Sequence, residues 1–310
     1  MLPPTRQRIL ILAAIAVATC AWLAFRGWLV PGDLSSGISL GAASSGWFGA
    51  VTAVVLAGGV TLAVALVPGA AGHPLAGVFA AGIGLCVLAG WGGPIDGWMR
   101  RSALPGAYAG LIVESLVWHG GMLGLAWCMW KLRPPVRRLL PGVVCDPRHE
   151  ALELPGRPDR AAVLAGLTAA AVGGGVCWVL QRSTSEGQVI GTMIAAFTLA
   201  GLAAQYWFPD NRHVLAVLAA PLVVSVAAYA AAWLMFPHEQ ATLTAWFNLG
   251  GFDRHAARMP GPALVLPIYY ASAGMAGAAM GAGMAGAIHA ARAAEAGHGD
   301  AASGSAEAAS

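Results

Sequence analysis

The run Trp47-Phe48-Gly49-Ala50-Val51-Thr52-Ala53-Val54-Val55-Leu56-Ala57-Gly58-Gly59-Val60-Thr61-Leu62-Ala63-Val64-Ala65-Leu66-Val67 carries no charge over 21 residues and stops at Pro68-Gly69. As a helix it would be about 30 Å long, the thickness of a bilayer's hydrocarbon core. Its apolar residues do not alternate with polar ones, so it is not a strand of a membrane barrel. Only a helix satisfies its own backbone where there is no water.

Seven further runs of the same kind flank it, so the chain reads as an all-α integral membrane protein with eight transmembrane helices. They fall at residues 9–29, 47–67, 75–91, 106–130, 161–180, 187–207, 214–236 and 264–288. Turn chemistry separates them: Pro31-Gly32-Asp33, Pro68-Gly69, Gly92-Gly93-Pro94, Pro134-Pro135, Pro209-Asp210-Asn211, Pro237 and Pro260-Gly261-Pro262. Arg6 and Arg8 before the first run resemble a signal peptide, but no small-residue cleavage pattern follows closely enough, and the run reads as a retained span. Composition agrees. Of 310 residues 58% are hydrophobic and 10% charged, against about 25% charged in an average soluble domain. That deficit excludes an ordinary soluble enzyme, a disordered chain and a nucleic-acid binder.

Lys and Arg set the expected orientation. With the N-terminus inside, the inner segments hold Arg6, Arg8, Lys131, Arg133, Arg137, Arg138, Arg148, Arg157, Arg160, Arg212 and Arg292, and the outer ones Arg26, Arg100, Arg101, Arg182, Arg254 and Arg258. Eight spans return the C-terminus to the inside. The expected location is the plasma (inner) membrane of a bacterium-like cell, with both termini cytoplasmic. Cys20, Cys86, Cys128 and Cys177 lie within spans and Cys145 on the inner side, so no outer disulfide is expected. No Cys/His spacing suits a metal, and neither metal nor cofactor is expected.

The two halves of the chain repeat. Cys20-Ala21-Trp22 to Arg26 matches Cys177-Trp178 to Arg182, and Gly46 to Pro68 matches Gly187 to Pro209. His73 with Leu75-Ala76 matches His213 with Leu215-Ala216. Gly92-Gly93, Asp96, Arg100-Arg101 and Leu104-Pro105-Gly106 match Gly250-Gly251, Asp253, Arg258 and Met259-Pro260-Gly261. Matches of rare residues in one order predict two parallel four-helix repeats (4+4), related by an axis along the membrane normal. The expected organisation is a first repeat at 1–130 and a basic, Pro-rich cytoplasmic linker at 131–160. A second repeat follows at 161–292, and a disordered cytoplasmic tail at 293–310.

Ionisable groups at membrane depth are functional candidates because they are costly to hold there. The fourth span supplies Glu114 and His119, on opposite sides of one helix, with Ser115 on the face of His119 and Trp118 on that of Glu114. The repeat register places Tyr269 opposite Glu114 and Tyr270 opposite Ser115. Glu114, His119, Ser115, Tyr269 and Tyr270 form the candidate substrate or ion site; the alternative is structural hydrogen bonding to neighbouring helices. Asp96, Arg100, Arg101, Asp253 and Arg254 are outer-face candidates for a vestibule, or else turn residues. His73 and His213 recur at inner helix starts. Residues 241–249, with Trp246 and Phe247, suit a short amphipathic helix at the interface. Gly277, Gly281 and Ala285 belong to a small-residue ladder for close helix packing, within the bundle, in a homo-oligomer or against an integral membrane partner.

No catalytic motif is present, so an enzyme is less expected than not. Three readings remain. The first is a permease-like or transporter protein with its polar site at Glu114 and His119 near the repeat interface. The second is a non-catalytic subunit or scaffold of a larger membrane complex. The third is a membrane enzyme acting on a lipid-borne substrate. The lipid bilayer is the expected medium, and no nucleic acid is expected.

Overall fold

The computed structural model describes residues 4–32, 37–93, 95, 107–139, 158–182, 184–209, 211, 213–235 and 261–307. Among them the architecture is all helical, with no strand. The helices are α1 (Pro4–Ala24), α2 (Gly46–Ala71), α3 (Pro74–Ala89), α4 (Ala107–Leu139), α5 (Arg160–Leu180) and α6 (Glu186–Trp207). Val214–Leu218 and Ala220–Met235 together make α7, broken at Ala219 one residue before Ala220-Pro221. The break follows from Pro221, which has no N–H to continue the ladder. The last helix, α8, begins as Pro267–Tyr269, widens into a π-turn at Tyr270–Gly274 and continues as Met275–Glu307.

Seven of these helices are long and apolar enough to cross a membrane. The chain therefore has the helical, apolar build of a polytopic membrane protein. The count of eight does not hold by length: α3 has 16 residues, about 24 Å of helix against a core of about 30 Å. Its surroundings account for this. α3 is buried along most of its length, packed by α1, α2, α4 and α8. Its flanking Gly92, Gly93 and Ile95 are buried too. Backbone covered by protein need not be helical at membrane depth.

Two boundaries differ from expectation for a related reason. Pro68 and the pair Pro134-Pro135 were expected to end helices, yet α2 runs on to Ala71 and α4 to Leu139. A proline near a helix C-terminus costs one N–H bond, but its own carbonyl still accepts, so the helix can close beyond it. Gly72 N–H bonds Pro68 O at 3.0 Å, and Arg133 Nη2 bonds Gly72 O at 2.9 Å. The start of the expected linker, 131–139, is thus the end of α4, and the backbone of α8 is helical through Glu307, past the expected start of a disordered tail.

The most completely buried stretches are α3 and the segment from Gly261 through the first half of α8, where nearly every residue to Ala282 is buried. The π-turn lies at the centre and touches α3, α4, α6 and α7. Glycine makes the closest approaches. A Cβ on Gly277 would stand 2.6 Å from Ile194 O on α6, one on Gly82 would stand 2.9 Å from Ser272 O in the π-turn, and one on Gly281 would collide with Thr198 O. Between two apolar helices such backbone proximity gains dispersion, which lipid contact cannot replace.

Candidate functional site

The starts of α1, α3 and α7 meet the end of α6 and the middle of α8 at one end of the bundle, called the His73 end below. Glu114, Ser39 and Gly92 lie at the other, the Ser39 end.

Glu114, in the second turn of α4, is 6% exposed and fully bonded. Ser39 Oγ–H donates to its Oε2 at 2.7 Å, while Leu40 N–H and Trp118 Nε1–H each donate to Oε1 at 3.1 Å. The Trp118 bond follows from i, i+4 spacing. Ser39 and Leu40 come from the α1–α2 connection, 75 and 74 residues away. That connection turns inward: Ile38, Ser39 and Leu40 are all buried, and Ile38 packs where a side chain on Gly92 would have to stand. Three converging donors suit an acceptor-only carboxylate. Glu114 thereby pins a plug of chain into the Ser39 end.

His119, on the far side of the same helix, is wholly buried. Its Nδ1 donates to Ser115 O at 2.8 Å, which leaves Nε2 as the ring's acceptor. Neither Nε2 nor Ser115 Oγ has a partner among the described residues. The tyrosines of α8 turn elsewhere. Tyr269 O–H donates to Ala89 O at 3.0 Å, where α3 ends, and Tyr270 O–H to Pro262 O at 2.8 Å. The Tyr270 ring meets Phe197 edge-on at 6.1 Å. The five candidates of the polar site thus divide: Glu114, with Trp118 beside it, holds a loop, Ser115 and His119 pair along α4, and each tyrosine hydroxyl caps a backbone carbonyl. Close by, Tyr229 O–H donates to Val265 O.

The outer-face candidates Asp96, Arg100, Arg101, Asp253 and Arg254 lie outside the described residues, as do 241–249 and Cys145. Gly277 and Gly281 face α6, as given above, and Ala285 is fully buried. Among the described residues no three His, Cys, Asp or Glu side chains cluster closely enough to hold a metal ion.

A larger space lies away from these residues. A cavity of about 720 Å³ opens at the His73 end, between α1 and α3 on one side and α6, α7 and α8 on the other. On α8 its wall runs from Ala279 to Ala290, about 16 Å along the axis. On its α8 wall Gly283, Gly286 and Ala287 carry almost no side chain. Its polar side chains are His73, Gln205 and Asn211. His73 caps α3, its Nδ1 accepting from Leu75 N–H at 3.1 Å. Asn211 shapes the α6–α7 turn: its Oδ1 accepts from His213 N–H at 2.9 Å and its carbonyl from Gln205 Nε2 at 3.1 Å. The repeat pointed to His73. Nothing in the sequence singled out Gln205 and Asn211, since an amide near a helix end is ordinary turn chemistry.

No protein-family model matches this chain, and no curated protein or solved structure matches it either.

Proposed function

We propose that the protein is a permease-like membrane transporter built from two parallel four-helix repeats, 1–130 and 161–292, joined by the basic linker. The observation that carries this is the cavity at the His73 end, which is lined from both halves. Transporter sites gather at repeat interfaces, and alternating access requires a space that one end reaches while the other is closed. At the opposite end Ser39 and Leu40 are drawn inward onto Glu114, and on this reading that plug is what closes it.

The packing supports the repeat. Within the first half α1 meets α2 and α3, and α2 meets α4; within the second α5 meets α6 and α7, and α6 meets α8. Between halves α3 meets α8 and α4 meets α7, two contacts that a two-fold axis would exchange. On this reading α3 counts as the eighth span, shortened because protein surrounds it. Glu114 and His119, on α4 at that interface, form the polar site: Glu114 holds the closed end and His119 Nε2 offers an acceptor inside. The termini and the His73 end face the cytoplasm of a bacterium-like cell.

The test is sided cysteine labelling in a background without native cysteines. Ala282→Cys and Gly283→Cys, in the cavity wall, should react with a membrane-impermeant maleimide from the His73 side. In a working transporter they should also become reachable from the Ser39 side. A disulfide between Ser39→Cys and Glu114→Cys should abolish that second reactivity. Labelling from one side alone, with or without the lock, would exclude alternating access.

A second reading, a non-catalytic subunit of a larger membrane complex, draws on the hydrogen bonding of Glu114. Its bonds to Ser39, Leu40 and Trp118 are structural in kind. The exposed face of α8 at Gly283, Met284, Gly286 and Ala287 would then receive a partner helix or a second copy. If that reading holds, Glu114→Gln leaves function intact, while Gly286→Leu breaks the complex.

A further inference from the structure

A second space, independent of the transport reading, lies on the flank of the bundle. It is a groove of about 260 Å³ between α2 and α4, floored by Trp22 of α1 and Leu85 of α3. Its mouth faces outward, since Val55, Gly59, Val117 and Gly121 along its rim are exposed. Missing side chains make it: a Cβ added at Gly58, Gly59 or Gly121 would meet nothing within 4 Å. On α2 it runs from Val54 to Leu62, about 12 Å along the helix.

One polar atom in its lining points to a ligand. Trp22 is 2% exposed, yet its indole Nε1–H has no hydrogen-bond partner among the described residues. The neighbouring Trp118, whose ring lies 6.2 Å away, spends its own Nε1–H on Glu114. A buried donor left unmade is costly, so an acceptor is expected beside it. The level of Trp22 says which kind. Exposed Trp28, Trp47 and Trp91 ring the Ser39 end, with Arg26 stacked over Trp91 at 4.7 Å. Such a belt marks the headgroup level. Trp22 is six residues before Trp28, just inside that belt, where the ester carbonyls of phospholipids lie.

The dimensions fit one hydrocarbon chain. A methylene takes roughly the 30 Å³ share of a water molecule, so 260 Å³ accommodates about nine. Nine methylenes in zigzag reach about 11 Å by covalent geometry, close to the length of the groove. A helix of a second copy, about 10 Å across, is too wide for it. We propose that the groove binds one acyl chain of a membrane phospholipid, its ester carbonyl accepting from Trp22 Nε1–H and its chain running between Gly59 and Gly121 toward Cys128.

The experiment uses the full-length protein in nanodiscs of phosphatidylcholine that carries a diazirine at the tenth carbon of one acyl chain. After illumination, adducts are mapped by peptide mass spectrometry. The expected result is labelling concentrated at Leu62 and Leu125–Cys128, above that of Leu167, a well exposed residue of α5. Gly121→Leu and, from the opposite wall, Gly59→Leu fill open space without a clash and should each abolish the preference. Trp22→Phe keeps the ring and removes the donor, and should lower the preference about fivefold, the worth of one hydrogen bond. Equal labelling of groove and α5 overturns the proposal. So does a preference unchanged in both glycine variants, or chain-to-chain crosslinks from the groove in place of lipid adducts.

Discussion

Glu114 allows a sharp separation of geometry from charge. Glu114→Leu removes both oxygens and leaves Ser39 O–H, Leu40 N–H and Trp118 Nε1–H without their acceptor in a buried site. At about 1–3 kcal/mol per orphaned donor, two such N–H groups amount to about 2–6 kcal/mol; the Ser39 hydroxyl can rotate toward another acceptor. Glu114→Gln keeps an oxygen where Leu40 and Trp118 donate, and its new NH₂ can donate to Ser39 Oγ, which accepts as readily as it gives. Only the charge assistance goes, about 1 kcal/mol. The assay is thermal unfolding of the detergent-solubilised protein, paired with maleimide labelling of Leu40→Cys from the Ser39 side. Leucine should lower the midpoint substantially and expose position 40, while glutamine should do little of either. A leucine variant as stable and as protected as the parent would show that Glu114 does not hold the plug. A glutamine variant as damaged as leucine would refute the hydrogen-bond reasoning, because it would make charge the deciding factor.

Other outcomes follow from the same geometry. Gly281→Leu drives a side chain into Thr198 O and should cost about 1–3 kcal/mol or more by overpacking, read as a lowered unfolding midpoint. Gly283→Leu, two residues on and facing open space, should leave that midpoint unchanged. His73→Ala removes the acceptor for Leu75 N–H and should cost about 1 kcal/mol as a lost cap. His213→Ala should cost less in the same measurement, since the His213 side chain makes no cap bond. Arg133→Gln gives up the Gly72 contact and should destabilise by about 1–3 kcal/mol. It should also speed amide exchange in the α2–α3 turn, while exchange at the Ser39 end stays as it was.

The helices were largely legible because their cause is local. The run 47–67 is helical wherever lipid surrounds it, and it became Gly46–Ala71. Proline did not end every helix. Pro134-Pro135 lies in the last turns of α4, where few bonds remain to break and Arg133 reaches across to Gly72. The third run, 75–91, shows the limit of hydropathy. It is as apolar as its neighbours, but a helix clothed in protein is not held to the bilayer's thickness, and whether it is clothed depends on residues far away.

The same division runs through the candidate site. Depth and ionisability marked Glu114 and His119, and helical spacing gave their partners one turn along, Trp118 and Ser115. The pairing of Glu114 with Ser39 and Leu40 bridges some 75 residues and leaves no trace in any local pattern. Both cavities are lined by glycines that are indistinguishable in sequence from those that pack. Gly281 is pressed against α6, while Gly283 and Gly121 face open space. Sequence alone therefore determined what medium the chain folds in, which segments become helices and which few polar groups enter the bundle, since each depends on transfer energies of nearby side chains. Tertiary structure decided which glycine seals an interface and which leaves a hollow, and whether the buried carboxylate faces solute or backbone. Those outcomes depend on what stands opposite each residue, and only the packed helices fix that.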